Sequence, residues 1–282
     1  MIVVTGATGT FGHQVGQTLI QQGIPFRAGA QTTQAIREKL GDQPEAVAFD
    51  WQNPETFRAL LTGASVVYVI SPPFNYTFHT AVASFVEEAK RQGVQHLVLT
   101  TGVFAEARPD NLFRRSEEII QQAGIDYTIL RPSFLMQNFI NYDLQSVKNG
   151  VLYFPSGTGK AAYVDVQDVA TASTQVLTNP ESHVGKVYNL TGTEALSHAQ
   201  MAQIFTTVLG RTFQHIDPSV EEFQQTLKGY GVPDFVYEFM AMLYTTVKEG
   251  QWTKVTQDIQ TITGQSPRSF AAFVDGNRAV FS

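Results

Sequence analysis

The stretch TGATGTFG, residues 5–12, follows the short apolar segment IVVT, residues 2–5, and leads into a helical pattern. Its three glycines, Gly6, Gly9 and Gly12, are spaced by three, and each has its own physical task. The first permits a tight turn off a strand, the second lets backbone amides approach a pyrophosphate, and the third lets the helix pack closely on the strand. The helix N-terminus would then face the phosphates with unpaired N–H groups. The stretch therefore predicts a dinucleotide-binding loop, with a merely structural turn as the alternative.

Six apolar segments alternate with amphipathic stretches over residues 1–150, a pattern typical of a parallel sheet with helices on both faces. These segments are IVVT (2–5), FRAGA (26–30), AVAF (46–49), VVYVI (66–70), HLVLT (96–100) and YTILR (127–131). After Gly150 the pattern becomes mostly helical, with KVYNL (186–190) as one further strand candidate. We predict an α/β fold, a Rossmann doubly wound parallel sheet. Its NAD(P)-binding domain would span residues 1–150, and a smaller, mostly helical C-terminal substrate-binding part would span 151–282 and partly return to the sheet.

Composition excludes several functions. The 282 residues carry a net charge of -6, which argues against nucleic acid and anionic membranes as partners. The sequence has no cysteine, so disulfides, thiolate catalysis and cysteine-ligated metals are excluded, and its 6 histidines form no motif that predicts a metal site. No stretch approaches the ~20 apolar residues of a membrane span. The start of the chain lacks the basic and apolar regions of a signal peptide, so the expected compartment is the cytoplasm.

The residues after the second predicted strand bear on the choice of dinucleotide. An acid there would accept hydrogen bonds from the ribose 2′-OH of NAD, but the segment RAGAQTTQ (27–34) contains none. Gln31 and the threonines after it could donate to a 2′-phosphate, so NADP(H) is favoured over NAD(H). Arg37 either reaches that phosphate or is a solvated helix charge. Asp50, which ends the third predicted strand, either contacts the adenine side or caps the following helix.

Four motifs in fixed order carry a family resemblance: TGATGTFG, DYTILRPSFLMQNF (126–139), AAYVDVQDVA (161–170) and ITGQSPRSF (262–270). With them, nearly the whole chain resembles the NmrA-like family of atypical short-chain dehydrogenase/reductases. That family includes NAD(P)H-dependent quinone oxidoreductases, imine reductases of the festuclavine-synthase type and non-catalytic NADP sensors. The resemblance implies a bound dinucleotide and leaves two functions open. One is a reductase of a small-molecule acceptor, and the other is a dinucleotide-binding regulator that acts through a protein partner.

The resemblance also implies site residues, which lie after predicted strands. The pyrophosphate would be lined by Gly6, Thr8, Gly9, Thr10, Phe11 and Gly12. The ribose and nicotinamide would lie along Ser71, Pro72 and Pro73 and along Thr100, Thr101 and Gly102, although ordinary loop chemistry also explains these pairs of prolines and threonines. Pro132 would border both the cofactor and the substrate pocket. That pocket would be apolar and suited to a flat acceptor, with Phe74, Tyr76, Phe104, Phe134 and Asn138 among its residues.

The helix after the fifth predicted strand lacks the usual catalytic pair. A typical short-chain dehydrogenase has Y-x-x-x-K there, in which the tyrosine protonates the carbonyl oxygen. Here the segment reads DNLFRRSEEIIQQAG (110–124), with neither residue. Arg114 or Arg115 lies where the family often has lysine, and Glu117 matches the acid that follows it, but an arginine stays protonated and is a poor acid. We therefore predict hydride transfer to an electrophilic acceptor such as a quinone or an imine, which needs little help from an enzymic acid.

Two other stretches look catalytic and are interpreted as coincidences. Tyr244 and Lys248 form the one Y-x-x-x-K of the chain, but they lie in the C-terminal helical region. The stretch SGTGKAA (156–162) is similar to a phosphate-binding P-loop, but it lacks the leading glycine and has Ala161 where the magnesium-binding hydroxyl belongs. We expect a turn before a strand there.

Overall fold

The computed structural model describes residues 1–72, 78–106 and 111–282. Within these ranges the chain forms eleven β-strands and fourteen α-helices. The strands are β1 (Ile2–Val4), β2 (Phe26–Ala30), β3 (Glu45–Ala48), β4 (Val66–Ile70), β5 (His96–Thr100), β6 (Asp126–Pro132), β7 (Val151–Tyr153), β8 (Lys160–Ala161), β9 (Lys186–Leu190), β10 (Leu196–Ser197) and β11 (Gln214–Ile216). The helices are α1 (Thr10–Gln21), α2 (Thr33–Leu40), α3 (Glu55–Leu61), α4 (Phe78–Arg91), α5 (Leu112–Gln121), α6 (Asn138–Asn141), α7 (Leu144–Lys148), α8 (Val166–Thr178), α9 (His198–Leu209), α10 (Val220–Gly229), α11 (Asp234–Lys248), α12 (Asp258–Thr263), α13 (Phe270–Gly276) and α14 (Arg278–Phe281).

Seven strands form one parallel sheet in the order β3-β2-β1-β4-β5-β6-β9. This order confirms the predicted Rossmann doubly wound α/β class. All six strands expected within residues 1–150 are present, and the further candidate at 186–190 is β9, which extends the sheet beyond β6. The chain reverses its direction of winding between β1 and β4. In an open parallel sheet, ligands bind outside the carboxyl ends of the strands at such a point.

Side chains of the central strands alternate between two helix-covered faces. On β4, Val67 and Val69 lie in a buried cluster with residues of α3, α4 and α5. Tyr68, between them, points to the opposite face, where its hydroxyl lies 3.0 Å from the Ser173 hydroxyl of α8. Helix α8 packs against α1. The near-continuous apolar character of the predicted strands follows from this burial on both faces.

The chain divides into two compact units, and their boundaries differ from a single boundary at residue 150. Unit 1 comprises Met1–Pro132, Val166–Leu190 and Asp258–Gln265. It includes the later segments because α8 packs on α1, β9 pairs with β6, and α12 packs on α8. Unit 2 comprises Ser133–Asp165, Thr191–Gln257 and Ser266–Ser282.

Unit 2 is less purely helical than the sequence indicates. Strands β8 and β10 form a small antiparallel sheet, and β7 and β11 form a small parallel one. Around them α9 packs against α13, and α10 packs against α11. The stretch 156–162 forms a turn that leads into β8, as expected, with the Gly159 amide donating to the Ser156 carbonyl at 3.0 Å. Among the helices of the described ranges, none has the length and apolar character needed to cross a bilayer.

Candidate functional site

The glycine loop joins β1 to α1 at the carboxyl edge of the sheet. Gly6 has φ of +58°, a left-handed conformation that side chains rarely adopt. A Cβ on Gly12 would lie 2.3 Å from the Gly6 carbonyl oxygen, so only glycine lets α1 begin this close to the turn. The Ala7 amide donates to the Gly29 carbonyl of β2 at 3.0 Å. This hydrogen bond holds the loop against the neighbouring strand β2.

The first amides of α1 point to an anion site. Gly9 is the N-cap residue and has no side chain with which to cap the helix. The amides of Thr10, Phe11 and Gly12 donate to no backbone carbonyl among the described residues, and the His13 amide is the first to bond, 2.8 Å from the Gly9 carbonyl oxygen. Free N–H groups at a helix N-terminus, together with the helix dipole, favour a phosphate. The loop predicted from sequence, including Thr8, therefore has the backbone geometry that a pyrophosphate needs.

The helix after β2 brings a positive charge onto this loop. The Lys39 ammonium of α2 donates to the Thr8 carbonyl at 2.7 Å. No sequence motif identifies Lys39, although the helical phase of α2 could have indicated it. Arg37 instead pairs with the exposed Asp42, with 3.5 Å between Nε and Oδ1. Gln31 follows β2 and is exposed.

Several predicted site residues follow β3 and β4. The Asp50 carboxylate accepts a hydrogen bond from the Gln52 amide at 2.9 Å. The N-cap of α3 is Pro54, so Asp50 does not cap that helix. Ser71 and Pro72 directly follow β4 and are half-buried. The predicted residues Pro73, Phe74 and Tyr76 lie outside the described residues.

The loop after β5 is held from within the protein. The Thr100 hydroxyl donates to the Tyr68 hydroxyl at 2.7 Å, and the Thr101 hydroxyl donates to the Glu117 carboxylate at 2.7 Å. The Thr101 amide donates to the Leu130 carbonyl of β6 at 3.0 Å. A Cβ on Gly102 would lie 3.3 Å from the Phe104 ring. Both threonine hydroxyls are therefore engaged by protein groups, and what this loop offers a ligand is mainly its backbone.

A buried ion pair lies where the usual tyrosine and lysine are missing. Glu117 of α5 is fully buried, and both of its oxygens accept from Arg131 of β6, at 2.9 Å from Nε and 2.6 Å from Nη2. The Arg131 Nη1 donates to Glu106 at 2.6 Å, and the same Glu106 oxygen accepts from the Asn189 amide at 2.9 Å. Burial lowers the pKa of Arg131, but the hydrogen bonds and charges of its two carboxylates outweigh burial and raise it. The network ties α5, β6 and the Thr101 loop together.

The two arginines of α5 differ in their surroundings. Arg114 lies 3.3 Å from Glu118 and 3.8 Å from Glu117, so it pairs with acids of its own helix. Arg115 is exposed. Glu117 already accepts from Thr101 and Arg131, and it acts as a structural anchor of this edge of the sheet.

The predicted substrate residues divide between the two units. Phe104 lies in a short 3-10 helix of unit 1. Phe134 and Asn138 belong to unit 2, where the Phe134 ring is buried and lies 5.3 Å from that of Tyr163. Pro132 ends β6 in unit 1. Within the described ranges, no group of three or more metal-ligating side chains is arranged to hold an ion.

The parallel sheet, the glycine loop with its free amides and the lysine on that loop define a dinucleotide-binding protein of the Rossmann class. The NmrA-like family model matches residues 1–270, and the chain belongs to this family, as its motifs predicted. It is 30% identical over 289 residues to the NAD(P)H azoreductase of Xenophilus azovorans, covering 100% of this chain and 99% of that protein.

Solved structures agree with this assignment. The triphenylmethane reductase of Citrobacter sp., in complex with NADP(H), has a TM-score of 0.88 and 30% identity over 98% of this chain and 99% of that one. An NADPH-dependent quinone oxidoreductase of Escherichia coli has a TM-score of 0.85 and 25% identity, also over 98% of this chain and 99% of that one. The chain is therefore an oxidoreductase that uses a nicotinamide dinucleotide.

Proposed function

We propose that the protein transfers hydride from NADPH to a small electrophilic acceptor, of the quinone or imine class, without a Tyr-x-x-x-Lys pair. The observation that carries this proposal is the composition of α5, which contains neither tyrosine nor lysine and whose Glu117 is held by Arg131. A quinone or an iminium ion has a strongly electrophilic centre, so it accepts hydride without prior protonation by the enzyme. Water can supply any later proton. The protein then has to align donor and acceptor and exclude bulk water.

NADP(H) is the proposed cofactor. Three observations support it: β2 is followed by Gln31 and no acid, Lys39 brings a positive charge to the glycine loop, and the Citrobacter relative was solved with NADP(H). The residues from Gly6 to Gly12 would hold the pyrophosphate, and Lys39 would bind the 2′-phosphate. When bound, the cofactor supplies the hydride.

The remaining predicted positions belong to the same proposal. Ser71 to Pro73, Thr100 to Gly102 and Pro132 would border the ribose and the nicotinamide, and Asp50 would lie at the adenine side. Of the predicted pocket residues, Phe134 and Asn138 of unit 2 would border an aromatic acceptor. The names of the azoreductase and the triphenylmethane reductase support acceptors of that aromatic kind.

Steady-state oxidation of NADPH tests the proposal. A panel of acceptors would include menadione, benzoquinone, a 3,4-dihydroisoquinolinium ion and the azo dye methyl red. We expect turnover with at least one of them and transfer of deuterium to the dihydroisoquinolinium carbon from NADPH deuterated at C4. The matched control is the variant Gly12→Val, which should lose NADPH binding and turnover together. Tight NADPH binding without turnover on any acceptor would contradict the proposal and favour the regulator.

A further inference from the structure

Residues 101–106, which we call the β5 loop, are clamped at both ends by one buried ion pair. At the start of the loop, the Thr101 hydroxyl donates to the Glu117 carboxylate at 2.7 Å. At its end, the Glu106 carboxylate accepts from Arg131 Nη1 at 2.6 Å. Glu117 and Arg131 are both buried and are joined to each other by two hydrogen bonds. All of these residues belong to unit 1, so one charged pair fixes the path of the β5 loop.

The first peptide groups of the β5 loop lack partners in the described part of the chain. The Thr101 amide donates to the Leu130 carbonyl at 3.0 Å, but the Thr101 carbonyl accepts from no described residue. The amides of Gly102 and Val103 donate to none of the described residues either. Gly102 is buried, and its two neighbours are half-buried. Because buried backbone groups are nearly always paired in a folded protein, these three groups point to a ligand.

The place of the β5 loop in the sheet corresponds to the nicotinamide half of a dinucleotide. The loop leaves the carboxyl edge of β5, which lies two strands, or about 10 Å, from β1 on the side away from β2. With the pyrophosphate at the glycine loop and the adenine toward β2, the nicotinamide would extend in this direction. A Cβ on Gly102 would lie 3.3 Å from the Phe104 ring and 3.6 Å from the Pro132 carbonyl oxygen. The loop is thus packed against the end of β6 and presents its backbone groups in one arrangement.

We propose that the backbone of the β5 loop binds the carboxamide group of the nicotinamide, and that Thr101 is a positioning residue whose bond to Glu117 holds this backbone in place. A carboxamide has one acceptor oxygen and an NH₂ group with two donors. It therefore complements a loop that offers the free amides of Gly102 and Val103 and the free carbonyl of Thr101. An acetyl group in the same position keeps the acceptor oxygen but has no donor for that carbonyl.

A held carboxamide fixes the rotation of the nicotinamide ring about its glycosidic bond, and with it the direction in which C4 faces. Hydride transfer without an enzymic acid depends on this alignment of donor and acceptor. The inference rests on the proposed function for the position of the nicotinamide, and it adds the groups that recognise its carboxamide. Binding of the oxidised cofactor needs no acceptor, so the inference can be tested without turnover.

The test titrates three ligands onto the full chain by calorimetry: NADP⁺, its 3-acetylpyridine analogue, and 2′,5′-ADP, which lacks the nicotinamide half. The wild type should bind NADP⁺ about fivefold tighter than the analogue, because the analogue has no donor for the Thr101 carbonyl. The variant Thr101→Val should bind NADP⁺ about fivefold more weakly, bind 2′,5′-ADP within about twofold of the wild type, and lose the preference for NADP⁺ over the analogue. The variant Thr101→Ser keeps a hydroxyl for Glu117, and all three of its affinities should stay within about twofold of the wild type.

The matched control is Thr62→Val, the same substitution at the exposed C-cap of α3 in unit 1. It removes a hydroxyl that donates to the Arg58 carbonyl at 2.8 Å, and it should change no affinity by more than about twofold. A second series with NAD⁺, its acetylpyridine analogue and ADP makes the comparison independent of the 2′-phosphate.

Equal affinities of the wild-type protein for NADP⁺ and its acetylpyridine analogue would overturn the proposal, and this comparison needs no variant to fold. A Thr101→Val variant with native circular dichroism that weakens all three ligands equally would also overturn it, because a merely structural role of Thr101 has that result. Absence of turnover on every acceptor would leave the binding preference standing. Turnover by a protein without this preference would leave the proposed function standing, so the two proposals can fail separately.

Discussion

Two cationic side chains of α2, Arg37 and Lys39, are candidates for contact with the cofactor. Arg37 and Lys39 are two residues apart on α2, so they lie roughly 200° apart around the helix axis. Only one of them can face the glycine loop, and the 2.7 Å contact with Thr8 shows that it is Lys39. The sequence named Arg37, because the direction of each side chain depends on the phase of the helix, which Ile36 and Leu40 set by their burial.

Replacing Lys39 tests this assignment. The variant Lys39→Gln should raise KM for NADPH about tenfold and leave KM for NADH within about threefold, because it removes a charge-assisted bond to the 2′-phosphate that NADH lacks. Steady-state kinetics with both cofactors measure the effect. The matched control is Arg37→Gln, which removes an exposed charge that pairs with Asp42 and should change neither KM by more than about twofold. An equal effect of the two variants would contradict the assignment.

The Glu117–Arg131 pair allows a second residue-level prediction. Because Glu117 is fully buried and bidentate with Arg131, Glu117→Gln leaves a buried guanidinium with only Glu106 as a charged partner. We expect a loss of about 3 kcal/mol in the free energy of unfolding, measured with urea. The neighbouring Glu118→Gln, which breaks a part-exposed pair with Arg114, should cost no more than about 0.5 kcal/mol. Similar losses in both variants would show that the buried pair is not an anchor.

Sequence and structure agree best for the glycine loop and least for side-chain partners. Gly6, Gly9 and Gly12 could be predicted because their spacing and their place after a strand reflect local backbone needs. Glu117 was identified only by its position in a family pattern. Its partner Arg131 lies on a different element, and nothing local to either residue indicates that they meet. Such pairs depend on how α5 packs on β6, which a single sequence does not encode in any short window.

At the scale of elements, a strand could be predicted from the sequence where its apolar pattern is long enough. Strands β1, β4 and β5 have three to five apolar residues in a row and turn signals at their ends, and they are found where expected. Strands β8 and β10 have two residues each, and β7 and β11 have three. Segments this short contain less than two full periods of alternation, so tertiary pairing alone makes them strands. The prediction of a mostly helical C-terminal part missed β10 and β11 for this reason, whereas the strand expected after the turn at 156–162 is β8.

The junction of β1 and α1 is the element on which cofactor binding depends. In Gly12→Ala, the new Cβ would lie 2.3 Å from the Gly6 carbonyl oxygen, so the first turn of α1 must move away from the loop. We expect at least about tenfold weaker NADPH binding by fluorescence titration, with roughly 2 kcal/mol less stability. Gly229→Ala is the control, because Gly229 ends α10 and a Cβ there meets nothing within 4 Å. Wild-type affinity in the Gly12 variant would contradict the predicted role of the loop.

At the scale of the whole chain, the division into units is discontinuous. Residues 166–190 and 258–265 return to unit 1 after the chain has passed through unit 2. The sequence predicts one boundary at residue 150, because the pattern changes there from alternating strands and helices to mostly helices. Composition alone could not show that α8 belongs to unit 1. The sequence of an amphipathic helix shows that one face is buried, but not which element covers that face. The partner in this case is α1, far away in sequence.

Asp143 and His198 of unit 2 should shape the pH dependence of stability in opposite directions. The pKa of Asp143 is about 7 in the fold against an ordinary value of 3.8, so between these values the folded chain holds a proton that the unfolded chain has released, and stability falls as pH rises. The pKa of His198 is about 3 in the fold against 6.5, so the unfolded chain holds the extra proton and stability rises with pH. Over the shared range the two effects largely cancel.

Asp143→Asn removes only the first effect and exposes the second. Relative to the wild type, the variant should gain about 2 kcal/mol in the free energy of unfolding between about pH 5 and about pH 8, a value reduced for the residual exposure of the carboxylate. Urea unfolding in a Trp51→Phe background measures this in unit 2, because Trp252 is then the sole tryptophan of a chain that has 2. The control Glu221→Gln, which removes an equal charge from the exposed face of α10 in the same unit, should show no such gain with pH. A difference between variant and wild type that stays constant with pH would mean that the folded and unfolded chains bind the Asp143 proton equally, and it would contradict the raised pKa of this carboxyl.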